Sequence, residues 1–402
     1  MSNYSNRKGN IFITMINKSY KYRIYPNEQQ KVLIHKTFGC SRFIYNWGLN
    51  QKIQSYKKDK SSLSCINLIN QLTNLKEENI WLKDVNSQAL QMSLRNLDNA
   101  FTKFFREKSG FPNFKSKKNK QSFQSPQKSK VNFNNNTISV LKIQNIKAKL
   151  HRKFEGKIKT VTISKTCSNK YYCSVLVELN ENYPKKPEIK LNTSLGIDVG
   201  LKDFATFSNG EKVQNPKYLK NKLDKVRTLH YKLSKKIKGS NRRNKAKIKL
   251  ARLYETISNR RDDFLHKLTY KLTHENQVNT ICIEDLNIKG MVKNHKLAQS
   301  ISDVSWYKFF TYLSYKCDLY GKNLVKIGRF EASSKICNVC GYYKKDLELK
   351  DRELICPQCG TNHDRDINAS KNIRDFALQK QNLVGMDKPE STLRENASLE
   401  AS

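Results

Sequence analysis

Four cysteines constrain this chain more than any other feature. Cys337, Cys340, Cys356 and Cys359 stand in SSKICNVCGYYKKDLELKDRELICPQCG with the spacing C-x2-C-x15-C-x2-C. Each CxxCG knuckle turns two thiolates toward one ion, and two knuckles complete a tetrahedron. Gly341 and Gly360 permit the tight turns. A redox pair would need one CxxC, and four thiolates fill the coordination sphere. The expected ligand is therefore a structural Zn²⁺ in a zinc ribbon, not a catalytic one. His363 follows closely, but the tetrahedron needs no fifth ligand, so it reads as a surface residue or an active-site neighbour. The other six cysteines are scattered and form no disulfide framework.

The ribbon interrupts a longer pattern. SLGIDVG, DFATFSNG and EKVQNP read as three successive strands, followed by a basic helical stretch over 217–276. NTICIEDL reads as a buried strand, then come a helix over 303–320, the strand KNLVKIG, the cysteines and a final helix. Asp198 ends the first strand, Glu284 ends TICIE, and Asp366 opens the last helix in HDRDINAS. Gly196 and Gly200 flank Asp198 and would let a phosphate backbone come close. This element order is that of a ribonuclease-H-like (RuvC-like) fold, in which three such positions converge on one sheet edge. In-line attack of water on a phosphodiester builds charge on the attacking and leaving oxygens. Two cations roughly 4 Å apart stabilise both, and several carboxylates are needed to hold them. Mg²⁺ or Mn²⁺ fits that oxygen set. A lone Asp after a strand is ordinarily a turn or helix cap; the ordered triple carries the assignment. Asp364 reads as a cap or a supporting group. Because the ribbon precedes Asp366, zinc binding should help to set that carboxylate in place.

The N-terminal half reads as a second assembly. Residues 1–20 are polar and expected to be loose. KYRIY reads as a strand, and Pro26 and Asn27 start a helix whose apolar positions Val32, Leu33 and Phe38 have helical spacing. SRFIYNWGLNQKIQSYKK reads as a second helix, and 64–108 as two more. From Ser87, one face carries Leu90, Leu94, Leu97, Phe101 and Phe104, and the other Gln88, Gln91, Arg95 and Arg106. NTISVLKI, KIKTVTISKT and YYCSVLVELN alternate with strand period. The expected fold class is α/β multidomain. Its parts are a flexible 1–20, a barrel-like β-module of 21–40 and 109–183, and a helical insertion over 41–108. A linker (184–190), a nuclease domain (191–335), the ribbon (336–361), a closing helix (362–379) and a disordered tail (380–402) follow.

Charge names the class of partner. The net charge of +41 over 402 residues makes sense only beside a polyanion, and nucleic acid is the commonest. Hydrophobic content of 37% excludes a wholly disordered basic tail. No apolar run approaches the roughly 18 residues of a membrane span, and no signal peptide is read, so a cytoplasmic, nucleoid-associated protein is expected. In 217–276, leucines at a/d-like spacing, with His230 and Ile237 in the same row, predict a helical hairpin. Arg227, Arg242, Arg243 and Lys245 would line a phosphate groove there, against the alternative of a solvated face. Lys115, Lys117 and Lys118 interleave with Phe111, Phe114 and Phe123, which suits unpaired bases, or else packs on the β-module.

These segments together resemble the TnpB family, the RNA-guided DNA endonucleases of bacterial and archaeal insertion sequences, relatives of compact type V CRISPR effectors. The resemblance rests on YKYRIYPNEQQ with FGCSRFIYNWGL, GFPNFKSKKNKQSF, LGIDVGLKDFAT, ICIEDLNIKGM, SSKICNVCG, ICPQCG and HDRDINASKNI. Ala332 stands where family members often have Pro, and Leu354 where Trp is common. The resemblance implies a guide RNA from the transposon end, held with target double-stranded DNA by the N-terminal half. It implies reading of a short adjacent motif, for which Ser87, Gln88, Gln91 and Arg95 are candidates, and cutting of both strands at one RuvC-like site. An unguided junction nuclease, a non-cleaving repressor and a strand-transferring transposase are the rivals. Whether a separately encoded transposase is a partner stays open.

Overall fold

The structure, a computed structural model, describes residues 15–107, 109–118, 120–275, 277–329, 331–347 and 351–381. The expectations for residues 1–14 and 382–402 lie outside these. The chain divides into two compact units, Met1–Asn182 and Tyr183–Ser402. Among the described residues no helix is long and apolar enough to cross a membrane.

In the first unit, β1 (Met15–Tyr25) leads into α1 (Glu28–Asp59). Residues 15–20 are therefore strand rather than loose chain. Ile16, Tyr20, Tyr22 and Ile24 fall on one buried side at strand period. The two helices expected over 26–58 are one. Asn27 and Gln30 form a capping box at its start and Lys60 closes it in the left-handed region, with no cap between them. Helices α2 (Cys65–Asn70), α3 (Leu72–Glu78) and α4 (Ser87–Arg106) follow. Their Leu68, Leu72, Leu90, Leu94 and Leu97 pack on Ile44 and Leu49 of α1.

Strands β2 (Gln121–Ser125), β3 (Ser129–Asn132), β4 (Thr137–Val140), β5 (Ile143–Lys149), β6 (Lys157–Lys165) and β7 (Tyr171–Asn182) join β1. The order is β2-β6-β7-β1-β5-β4-β3. The two edge strands are neighbours in the chain, joined through residues 126–128. The sheet must therefore curl until it is nearly closed, and Ser129 Oγ donates to Ser125 Oγ at 3.0 Å where the edges meet.

In the second unit, β8 (Ser194–Asp198), β9 (Asp203–Phe207) and β10 (Lys212–Gln214) form an antiparallel meander. After it come α5 (Leu223–Ser234) and α6 (Asn241–Tyr270), which a π-helical turn (Lys271–Glu275) extends. Then follow β11 (Thr280–Glu284), α7 (Ile288–Met291), α8 (Ala298–Val304), α9 (Trp306–Leu319) and β12 (Asn323–Ile327). The hairpin β13 (Glu353–Ile355) and β14 (Asn362–Asp364) and helix α10 (Arg365–Gln379) end it. Ile237, expected in the helical seam, is 80% exposed, because α5 stops at Ser234 and Ile237 falls in the turn.

The sheet order is β10-β9-β8-β11-β12, with β8, β11 and β12 parallel. Residues 194–197 and 280–283 are buried throughout, as expected of strands covered on both faces. Ile197, Ile281 and Ile283 meet α6 and α9 through Leu265, Leu268, Phe309 and Leu313. Cys282 and Ile327 face the other way, onto Ile373, Phe376 and Ala377 of α10.

Candidate active site and cysteine cluster

Register brings the first two carboxylates together. Ile197 of β8 pairs with Ile283 of β11 in parallel, so the next residues, Asp198 and Glu284, end neighbouring strands on the same side. Neighbouring strands lie about 4.8 Å apart. The third carboxylate arrives on a helix. A Cβ on Gly196 would lie 1.9 Å from the Ser370 carbonyl oxygen and 2.9 Å from the Arg374 nitrogen. Gly196 therefore admits the backbone of α10, not a phosphate as its place beside Asp198 suggested. Asp366 lies one turn before Ser370, and its charge reaches Asp198.

The electrostatics follow from this crowding. Burial pushes Asp198 well above the usual carboxylate range, and the charges of Glu284 and Asp366 add to it. Burial also raises Glu284, while a hydrogen bond from Ser333 opposes the rise. Ser333 Oγ donates to Glu284 Oε1 at 2.5 Å. Arg352 Nη1 stands 3.5 Å from Asp366 Oδ2. Asp364 caps α10, its Oδ1 accepting from the backbone nitrogens of Asp366 at 3.0 Å and Ile367 at 3.1 Å. Burial alone would raise Asp364, but Lys212, 2.6 Å from its Oδ2, and those two amides hold it below its usual value. Ser333, Arg352 and Lys212 escaped the sequence reading. Each meets its carboxylate across a distance in sequence that no periodicity marks.

The four cysteines gather more tightly. Their sulfurs lie within 4.8 Å of one another, a group of ligand atoms that could hold a metal. Among the described residues the three carboxylates form no such group. The Sγ atoms of Cys337 and Cys359 are 3.7 Å apart, and those of Cys340 and Cys356 are 3.5 Å apart. A tetrahedron with Zn–S bonds of 2.3 Å has S–S edges of about 3.8 Å, so the donor set fits zinc. Hydrogen bonds from Thr361 pull the Cys359 thiol down, whereas burial pushes Cys337 and Cys340 up. His363 is buried, with Nε2 3.1 Å from Cys337 Sγ. It packs against the cluster and is not a surface residue.

The basic residues separate into pinned and open groups. Lys115 is exposed, but its Nζ lies 3.6 Å from the centre of the Tyr45 ring, where partial desolvation of the ammonium lowers its proton affinity. Lys117 and Lys118 are exposed on the following loop. Phe123 is core, while Phe111 and Phe114 are exposed. On α4, Ser87 Oγ accepts from Lys76 and Gln88 Nε2 donates to Gln127 Oε1 at 3.2 Å; Gln91 is half-buried and Arg95 exposed. In the hairpin, Arg242 and Lys245 are exposed, and Arg227 pairs loosely with Asp224 at 3.3 Å. Arg243 turns inward, donating to the carbonyls of Leu233 at 2.8 Å and Lys236 at 2.7 Å to close the turn. The cleft between α5 and α6, about 340 Å³, is instead lined by Lys222, Lys225, Lys249, Arg252 and Arg260.

Comparison with known proteins agrees over most of the chain. Residues 174–295 match the family described as "Probable transposase", 306–373 the "Cas12f1-like, TNB domain", and 15–61 a "Helix-turn-helix domain". A protein of Streptomyces pristinaespiralis named as an RNA-guided DNA endonuclease is 36% identical, over 89% of this chain and 89% of its own. A similarly named protein of Escherichia coli, InsQ, is 29% identical over 89% and 91%. Among solved structures, the Cas12f1 chain of a complex with guide RNA and target DNA shares the fold. Its TM-score is 0.55 at 14% identity, covering 90% of this chain and 99% of that one.

Proposed function

The chain belongs to the TnpB family of RNA-guided DNA endonucleases, and on that premise we propose that it cuts both strands of a guide-matched DNA through Asp198, Glu284 and Asp366. What supports this reading is the register of β8 against β11, by which Asp198 and Glu284 end neighbouring strands, together with the close approach to Gly196 of α10, the helix that Asp366 opens. The sheet order, three antiparallel strands continuing into two parallel ones, supports a RuvC-like nuclease domain.

These carboxylates would hold Mg²⁺ or Mn²⁺, which when bound supplies Lewis-acid stabilisation of the displacement and a more acidic water. The chain's own part is to place the carboxylates. Arg352 offsets the charge of Asp366, and Lys212 with Asp364 fixes the start of α10. Cys337, Cys340, Cys356 and Cys359 would hold a structural zinc just before that helix. Specificity rests with base pairing to the guide, and the first unit, with its curled sheet and α4, reads the short adjacent motif and duplex shape.

Asp198→Ala is expected to abolish cutting of a plasmid carrying the matched target while leaving RNA-dependent binding near wild type. Persistent cutting would overturn the site. The rival of an unguided nuclease is decided by the RNA that copurifies: one defined species, with cutting lost on its removal, is the expected result.

A further inference from the structure

The segment between β12 and the first cysteine carries a chain of buried contacts that the nuclease reading leaves without a role. Ser333 is 6% exposed, and its hydroxyl is spent on Glu284. Its carbonyl accepts from Asn372 Nδ2 at 2.7 Å. The same amide reaches the Ile336 carbonyl at 2.6 Å, and Asn368 Nδ2 reaches it at 2.7 Å. Asn338 N donates to Asn368 Oδ1 at 2.9 Å. Asn368 and Asn372 stand one turn apart on α10, almost wholly buried. An asparagine buried there costs stability unless its amide is satisfied, and an apolar side chain would fill the space without that demand. Both amides find partners within residues 333–338, the stretch that leads from the contact on Glu284 into the Cys337 knuckle.

We propose that Ser333, held by Asn372 and Asn368, is a positioning residue that fixes the Glu284 carboxylate against the helix bearing Asp366. The inference rests on the reading of these carboxylates as the metal-holding site. A hydroxyl donating to one oxygen of an ionised carboxylate stabilises that form and leaves the second oxygen free. Because Asn372 and Asn368 belong to α10, the hydroxyl, Glu284 and Asp366 share one rigid frame. The frame also clamps the chain entering the cysteine cluster.

The test uses the guide-loaded protein with Ser333→Ala and Ser333→Thr, reading Mn²⁺ affinity from the free-Mn²⁺ paramagnetic resonance signal and the Mn²⁺ dependence of cutting. Loss of a group that orients a ligand costs metal affinity about 10- to 100-fold. Ser333→Ala is expected to weaken Mn²⁺ binding about tenfold, with cutting recovered at high Mn²⁺. Ser333→Thr, which keeps the hydroxyl, should stay within about twofold of wild type. Equal affinity in the two variants, whether both tight or both weak, would overturn the proposal. Asp198→Ala is run alongside: if it still cuts, the site reading itself has failed, a result distinct from failure of the Ser333 proposal.

Discussion

Asp198 is a carboxylate placed where it resists ionisation. Its folded-state pKa lies above its unfolded value, so in the metal-free protein the native state holds the proton more tightly. Stability is then greatest at low pH and is lost as pH rises from the unfolded pKa through the folded one. Asp198→Asn removes that cost. The metal-free variant should melt a few degrees above wild type at pH 8, at about 2–4 °C per kcal/mol, and show little difference at about pH 3.5, below the unfolded pKa. Mg²⁺ should raise the melting temperature of wild type and not of the variant; calorimetry at the two pH values checks both. The places of the three carboxylates, two at strand ends and one in the first turn of a helix, were legible because local pattern reveals where elements begin and end. The role of Gly196 was not, since its neighbour is the backbone of Ser370, far along the chain. Arg352 and Ser333 were hidden for the same reason: hydrogen bonds between distant loops leave no periodic trace.

At the scale of elements, the critical contact is α10 on β8. Gly196→Ala would drive a methyl group into a backbone carbonyl that cannot yield, and is expected to cost ~3 kcal/mol or more. Denaturant unfolding of the variant should show that loss, with cutting reduced in step. The cysteine cluster adjoins the same helix. Cys356→Ser should lose bound zinc by elemental analysis, loosen α10 in hydrogen exchange, and lose cutting; full activity without zinc would contradict it. Strands β8 and β11 were legible because burial on both faces leaves short apolar runs. The single helix α1 was not: its apolar face shifts partway along from the sheet core, with Ile34 and Phe38, to the helical core, with Ile44 and Leu49. That shift imitates a break in a sequence that has no cap there.

For the whole molecule, a charge of +41 sets how the protein meets its guide. Affinity for the RNA should fall at least ~10²-fold between 50 and 200 mM salt, as counterion release demands for six or more phosphate contacts. A filter-binding titration across salt checks it, and a flat response would mean that the basic surface faces something other than phosphate. α1 adds a practical consequence. At 32 residues it is about 48 Å long, and it contributes side chains to two cores in turn. Attempts to miniaturise the protein by excising the helical layer would therefore cut through a beam that both cores share. Trimming should succeed only where the beam is left whole.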